Sequence, residues 1–317
     1  MASQGSKAYA VEYNNLYNAV NYVLGPSSGQ YGYGQSLTAI TTSVAAGERI
    51  TRAHWANLRV DLLRIATHQG LSENGSWASG NTTSIPALPT VTSTTKISAN
   101  LINSYVNAIN VMTLSSNVYK LAVGQYSDEA LTSSTRTADW NGTIRHYFYV
   151  NFGSAENARY FFNSGGTIRI TPTFSRSTNT SINYDWETLI NGVGTISFGY
   201  TNTTVSGTEV SSLGFYDLNN SVAQQIYTRS GGSQNAFYQV NDYTVRAYCN
   251  AANNSSGGAT IVYFECEFKD DKGYRDPLWP QGDEPATGTV VNTIRMFRPS
   301  GTNVAVSAPG ATNTTTL

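Results

Sequence analysis

Three stretches within the first 120 residues share one apolar spacing, and that spacing constrains the fold more than any other feature of the chain. The clearest copy reads Gly47, Glu48, Arg49, Ile50, with Thr51 in capping position. Trp55, Leu58, Leu62 and Ile65 follow, and the copy closes near Gly70. Another begins at Lys96, Ile97 and Ser98 and continues through Leu101, Ile102, Tyr105, Ile109 and Met112. The first copy, more degenerate, carries Tyr13, Leu16, Val20 and Val23 and is closed by Gly25 and Pro26. Aligned on Ala8, Ile50 and Ile97, the apolar residues coincide at offsets of five, eight, twelve and fifteen. Steps of three and four put them on one face of a helix. No such helix buries its stripe alone, so a three-helix bundle is predicted over residues 1–120.

The connections between these helices are long and rich in Gly, Ser and Thr, as in PSSGQYGYGQSLTAITTSVAAG and LSENGSWASGNTTSIPALPTVTST. Connections inside compact bundles usually run about two to eight residues. Tyr31, Tyr33, Trp77 and the segment from Pro86 to Pro89 are costly to leave in water. They are therefore candidates for an interface with another subunit; the alternative is that the loops wrap this chain's own helices.

Past a Ser/Thr-rich segment around Asn117–Asp139, strand patterns recur, which puts the boundary near Lys120 and a β domain over residues 121–308. Thr143 to Ser175 is its clearest part: an alternating strand, a short helix, a second alternating strand. Ser154 is placed to cap that helix, Glu156 opposes its dipole, and Ala158, Phe161 and Phe162 form its apolar face. The flanking strands are expected to cover that face, and Gly165 and Gly166 to end the helix. Further strands are predicted at Ser181–Ile190, Thr195–Tyr200, Val210–Asp217, Ala223–Thr228, Tyr243–Cys249, Thr260–Phe268 and Thr289–Phe297. The class is α+β: an N-terminal three-helix region, then an antiparallel, jelly-roll-like β-sandwich carrying one short helix. Residues 309–317 read as a loose tail or an arm ordered by a neighbour.

Composition narrows the function. Charged residues are only 12% and the net charge is −1, which lacks the basic footprint of a nucleic-acid binder. No apolar run reaches the roughly 18 residues of a membrane span, and no signal peptide is seen, so synthesis in a cytoplasm is expected. Cys249 and Cys266 fall too far apart along a hairpin about Asn254 to bond, and two separate buried thiols are expected. Asp185 and Glu187, read as two carboxylates on one strand face beside Trp186, weakly resemble the acid and base of a glycosidase. A solvated strand face is the plainer reading. The acidic cluster Glu265, Glu267, Asp270, Asp271, Asp276, Asp283 and Glu284 lacks the Asp/Asn alternation of a calcium loop. His54, His68 and His146 have no zinc-ligand spacing. No catalytic residue, cofactor or metal is therefore assigned, and the chain is expected not to be an enzyme. Exposed Tyr and Trp on strands leave carbohydrate binding as a second hypothesis.

The phrase NARYFFNSGGTIRI, residues 157–170, resembles one found in virion structural proteins of tailed bacteriophages, in particular the contractile-tailed phages of cyanobacteria. The likeness is strongest over Tyr147–Thr173. It extends loosely to the pattern of Ile50–Leu58, in which an Ile-Thr pair precedes a helix bearing Trp and Leu. The resemblance implies a tail, neck or fibre component of the virion, assembled in the host cytoplasm in several symmetric copies. Its partners would be other virion proteins and copies of itself, with a host-surface glycan as the alternative partner.

Overall fold

The computed structural model of the 317-residue chain describes residues 10–27, 29–38, 43–45, 48–71, 85–113, 126–231, 240–270 and 285–315. They fall into two compact units. One comprises Met1–Ser127, Arg159–Gly166 and Arg298–Ser307; the other comprises Asp128–Ala158, Thr167–Phe297 and Ala308–Leu317. The expected boundary near Lys120 lies outside the described residues.

The first unit is built on helices α1 (Ala10–Leu24), α2 (Arg52–His68) and α3 (Ala99–Thr113). Every residue at the four repeated offsets is buried. At offset five these are Tyr13, Trp55 and Ile102, and at offset fifteen Val23, Ile65 and Met112. Edge-to-face packing of Tyr13 on Trp55, with ring centroids 5.4 Å apart, joins α1 to α2. Trp55 reaches Tyr105 of α3 at 6.1 Å. At the start of α2 the backbone N–H of Thr51 donates to His54 Nδ1 at 2.9 Å, which satisfies a donor the helix itself leaves open.

The long connections are tied down by side chains of these helices. Asn14 grips Val44 twice, its Nδ2 donating to the Val44 carbonyl at 3.0 Å and its Oδ1 accepting the Val44 N–H at 2.8 Å. Asp61, fully buried, accepts the Thr38 N–H and an Arg64 guanidinium N–H through the same Oδ1 atom, each at 2.9 Å. Arg59 Nε donates to the Leu88 carbonyl and the Tyr105 hydroxyl to that of Pro89, both at 2.8 Å. Tyr33, Val44, Leu71, Ile85, Leu88 and Val91 thereby join the helices' own core.

Strands β1 (Tyr126–Arg136) and β2 (Thr143–Asn151) lead to helix α4 (Ala155–Asn163), strand β3 (Thr167–Arg176) and helix α5 (Ser181–Asn191). Three short strands follow, β4 (Ile196–Phe198), β5 (Thr203–Val205) and β6 (Thr208–Ser211), and then β7 (Gln224–Ser230). The chain continues through β8 (Asp242–Cys249), β9 (Ile261–Lys269), β10 (Gly288–Pro299) and β11 (Gly310–Asn313). One sheet has the order β1-β10-β3-β4-β5-β6 and the other β11-β2-β9-β8-β7. Their pairing is antiparallel and the arrangement is a β-sandwich, within an α+β chain. Phe198 of one sheet meets Phe264 of the other at 5.4 Å, edge to face.

Around α4 the Asn157 N–H donates to Ser154 Oγ at 3.1 Å, and Gly165 closes the helix at φ 88°. A Cβ on Gly166 would lie 2.5 Å from the Phe161 carbonyl, so only glycine fits. The far end of α4 is not covered by strands alone. Residues 159–166 belong to the helical unit, where Asn163 Nδ2 donates to the Tyr31 and Gly32 carbonyls, each at 3.1 Å.

Four expectations need correction. Ser181–Ile190 is helix α5, not a strand, because Ile182, Trp186, Leu189 and Ile190 fall at helical steps and are all buried. The β region thus carries two helices. Within Val210–Asp217 only the first two residues belong to a strand, and Phe215–Asp217 is a 3-10 turn. Tyr126–Arg136 is a strand although its sequence carries little apolar pattern. The C-terminal arm is ordered by its own chain: β11 pairs with β2, Gly310 opposite Asn151 and Asn313 opposite Phe148.

Leu62 and Val60 give a matched pair on one helix, the first fully buried and the second 42% exposed. Leu62→Ala is expected to lower the unfolding free energy by about 2–5 kcal/mol, and Val60→Ala by no more than about 0.5 kcal/mol. Urea unfolding of both variants, followed by circular dichroism, checks the difference.

Candidate functional site

The most organised surface among the described residues is the outer face of the five-stranded sheet. Alternation along β2, β8 and β9 buries Phe148, Val150, Val245, Ala247, Phe264 and Cys266, and turns the intervening residues outward. Register lines these up in rows. Tyr149 lies opposite Tyr263, which lies opposite Tyr248; Tyr147 lies opposite Glu265, which lies opposite Arg246; Arg145 lies opposite Glu267, which lies opposite Thr244.

In the first row Tyr248 and Tyr263 stack at 4.6 Å with their planes 11° apart, and Tyr149 approaches Tyr263 at 6.2 Å. Of these three and Tyr147 in the next row, only Tyr147 is exposed, at 37%.

The charged rows form a grid. Arg145 Nε donates to Glu267 Oε2 at 2.7 Å and lies 3.1 Å from Glu265 Oε1. Arg246 reaches Glu265 at 3.1 Å and Glu267 at 3.2 Å. Burial opposes the charge of Glu267, but the hydrogen bonds and charges of Arg246 and Arg145 more than offset this and hold its pKa below the ordinary value. The hydrogen bond to Glu267 raises that of Arg145. The grid floors a cleft of about 560 Å³ whose other walls include Thr143, Gln225, Thr228, Asp242 and Lys269. Glu265 and Glu267 share the outward face of β9, yet Glu267 is 6% exposed, roofed by the two arginines.

The residues singled out in the sequence fare differently. Tyr33 is not an interface residue: it is 1% exposed, accepts a hydrogen bond from Gln69 Nε2 at 2.6 Å, and meets His68 edge-on. Pro86 and Pro89 are half-buried on either side of Leu88, which lies in the helices' own core. The described parts of the loops pack on this chain's own helices. Tyr31 remains on the surface, 39% exposed and packed on Tyr22 at 4.3 Å. Trp77 lies outside the described residues.

Asp185 and Glu187 are not on one face of anything. Two residues apart on α5 they point about 200° apart. Asp185 is fully buried and Glu187 pairs with Arg176 at 3.2 Å. Of the acidic cluster, Asp271, Asp276, Asp283 and Glu284 lie outside the described residues, and among the described ones no group of acidic, His or Cys side chains is arranged to hold a metal. Cys266 sits opposite Val245 and Cys249 opposite Val262, both thiols free and buried. Burial pushes the Cys266 pKa up to about 12, far from a reactive thiolate. The outward tyrosines were missed as a group, although Tyr at alternate positions of three strands was the signal for them.

Compared with protein-family models, with characterised proteins and with solved structures, the chain matches none.

Two titrations follow from these environments. Glu267→Gln is expected to cost about 1.5–3 kcal/mol near pH 7. The gap should close at low pH, because a depressed carboxylate pKa adds stability above the unfolded value of 4.5 that is lost as pH falls through the folded one. Burial lowers His68 and His146 from 6.5 to about 4. Each stays neutral in the fold while the unfolded chain takes up a proton. Stability should therefore fall from pH 6.5 towards 4 by up to about 1.4 kcal/mol per pH unit for each histidine. Urea unfolding at stepped pH measures both, and His68→Phe should reduce the slope.

Proposed function

We propose that this protein is a non-catalytic structural subunit of a tailed-phage virion, working by surface contact with copies of itself and with other virion proteins. The observation that carries the non-catalytic reading is how its titratable side chains are used. His54 caps α2, Asp61 anchors a loop, Glu187 holds Arg176, and Glu265 and Glu267 sit between two arginines. On the six-stranded sheet Arg169 and Arg295 are directly opposed, a repulsive placement, and Asp128 lies between them at 2.8 and 3.0 Å. These groups are spent on holding backbone and pairing charge. The phage setting rests on the likeness of residues 157–170 to virion proteins.

Among the described residues of the helical unit, the large apolar side chains left exposed are Val11, Tyr22, Tyr31 and Val60, each 39–59% exposed. Such side chains gain from being covered, at roughly 25 cal/mol per Å² of apolar area. A second reading, binding of a host-surface glycan, is favoured by the cleft over the Arg/Glu grid, whose paired charges offer both donors and acceptors to hydroxyls.

The test is a Val11→Asp, Val60→Asp double variant examined for incorporation into particles by mass spectrometry of purified virions. Loss of incorporation with an unchanged circular dichroism spectrum supports the subunit role. A wild-type protein that is never found in particles, or that turns over a substrate, overturns it. Retention of whole-cell binding after Arg246→Ala would remove the glycan reading at the grid.

A further inference from the structure

Two Asn-Gly pairs stand among the described residues, Asn141–Gly142 just before β2 and Asn191–Gly192 at the end of α5, and the fold treats them in opposite ways. Asn74–Gly75 lies outside the described residues. An Asn-Gly pair carries its own electrophile and nucleophile, since the side-chain carbon Cγ and the glycine nitrogen can close a five-membered ring. Glycine has no Cβ to shield that nitrogen or restrict its backbone. Closure needs a side-chain amide that is not held, a glycine N–H that is not committed to a hydrogen bond, and open space around both.

Asn191–Gly192 meets none of these conditions. Asn191 Oδ1 accepts the Phe174 N–H at 3.1 Å and its Nδ2 donates to the Phe174 carbonyl at 3.0 Å. The Gly192 N–H donates to the Thr188 carbonyl at 3.2 Å, and a Cβ on that glycine would meet Arg229 Nη2 at 2.5 Å. Asn141–Gly142 meets all three. Among the described residues neither the Asn141 amide nor the Gly142 N–H has a hydrogen-bond partner. Asn141 is exposed, Gly142 turns at φ 88°, and a Cβ there would meet nothing within 4 Å. The turn is nevertheless tied at both ends. Trp140 and Ala286 exchange backbone hydrogen bonds at 3.1 and 2.9 Å, and the Gly142 carbonyl accepts the Asp270 N–H at 3.0 Å.

We propose that Asn141 is a modification site at which the folded chain converts its own amide to aspartate and isoaspartate without an enzyme. The Gly142 nitrogen gives its proton to water and bonds to Asn141 Cγ; the Cγ–Nδ2 bond breaks, and Nδ2 takes a proton from water and leaves as ammonia. Water then opens the succinimide. Cleavage between the ring nitrogen and Cγ gives aspartate. Cleavage between the ring nitrogen and the Asn141 main-chain carbonyl carbon gives isoaspartate, with the backbone running through the former side chain. Either product adds a negative charge on the cleft that Arg136 also lines. Isoaspartate also adds one main-chain carbon between two tied points, Trp140 and Gly142. None of this chemistry needs a virion, so it stands or falls apart from the structural role.

Peptide mapping of the full-length folded protein, held at mildly alkaline pH and sampled over time, tests the site against a sample digested at once. Trypsin releases Thr137–Arg145, in which Asn141 is the sole Asn. Mass spectrometry reads the amide-to-acid mass gain, and chromatography separates the two products. Asn141 is expected to convert, with Asn191 at least about tenfold slower because its three hydrogen bonds must open first. In urea, where both pairs are released, the two rates should converge. Gly142→Ala should slow conversion at Asn141 several-fold; should that change disturb the turn at its positive φ, the urea comparison on the unaltered chain still decides. An Asn141 that stays intact in the folded chain, that converts no faster than Asn191, or that yields aspartate without isoaspartate would overturn the assignment.

Discussion

A hydroxyl, an amide and an imidazole in line, Tyr243, Asn292 and His146, pass through the centre of the sandwich and fix how its two sheets meet. Apolar contacts between sheets tolerate sliding; a buried polar pair 2.9 Å long does not, because a shift leaves both partners unsatisfied where water cannot replace them. Tyr243 and His146 come from the five-stranded sheet and Asn292 from the six-stranded one, so the line crosses the interior twice. The register of β2 against β9 then carries this fixed point outward to the tyrosine and Arg/Glu rows.

Few charges leave each one conspicuous. In a chain where charged residues are 12% of the total, nine of the described ones sit in three compact groups: Asp128 between two arginines, four side chains on the outer face of β2, β8 and β9, Asp61 with Arg64 under a loop. Polar but uncharged residues do the work that ion pairs do elsewhere. Asn14, Asn163, Asn183 and Asn191 each bind backbone on a different segment, and an amide can both donate and accept in one place. This explains how the described parts of the long Gly/Ser/Thr-rich connections are tied to an apolar bundle.

Much of the fold was legible in the residues. The three helices could be read because the same offsets carry large apolar side chains in each copy, and a stripe of that width has one physical use. Strands β2, β3, β8, β9 and β10 could be read because burial on one face imposes alternation. Helix α5 misled because Ile182, Tyr184 and Trp186 also alternate over a short window, and only Leu189 and Ile190 break the tie. Edge strands β1 and β11 were invisible for a different reason. An edge strand is held largely by backbone hydrogen bonds, and GATN or YSDEALTSSTR needs little apolar content to make them. The sites were least legible, since they depend on pairings such as His146 with Asn292, 146 residues apart, that no local pattern encodes.

The helical unit is not finished by its helices. Val304 sits in their core, Gln35 hydrogen-bonds the Ala305 carbonyl, and Arg298 closes the segment on Val306. During synthesis the front of the chain must therefore wait, with a hole in its interior, until residues 298–307 leave the ribosome. A nascent chain stalled before that point would show an open, chaperone-accessible bundle in place of a closed one. Completion of the amino-terminal unit thus becomes a report that the strands lying between its two parts have already been made.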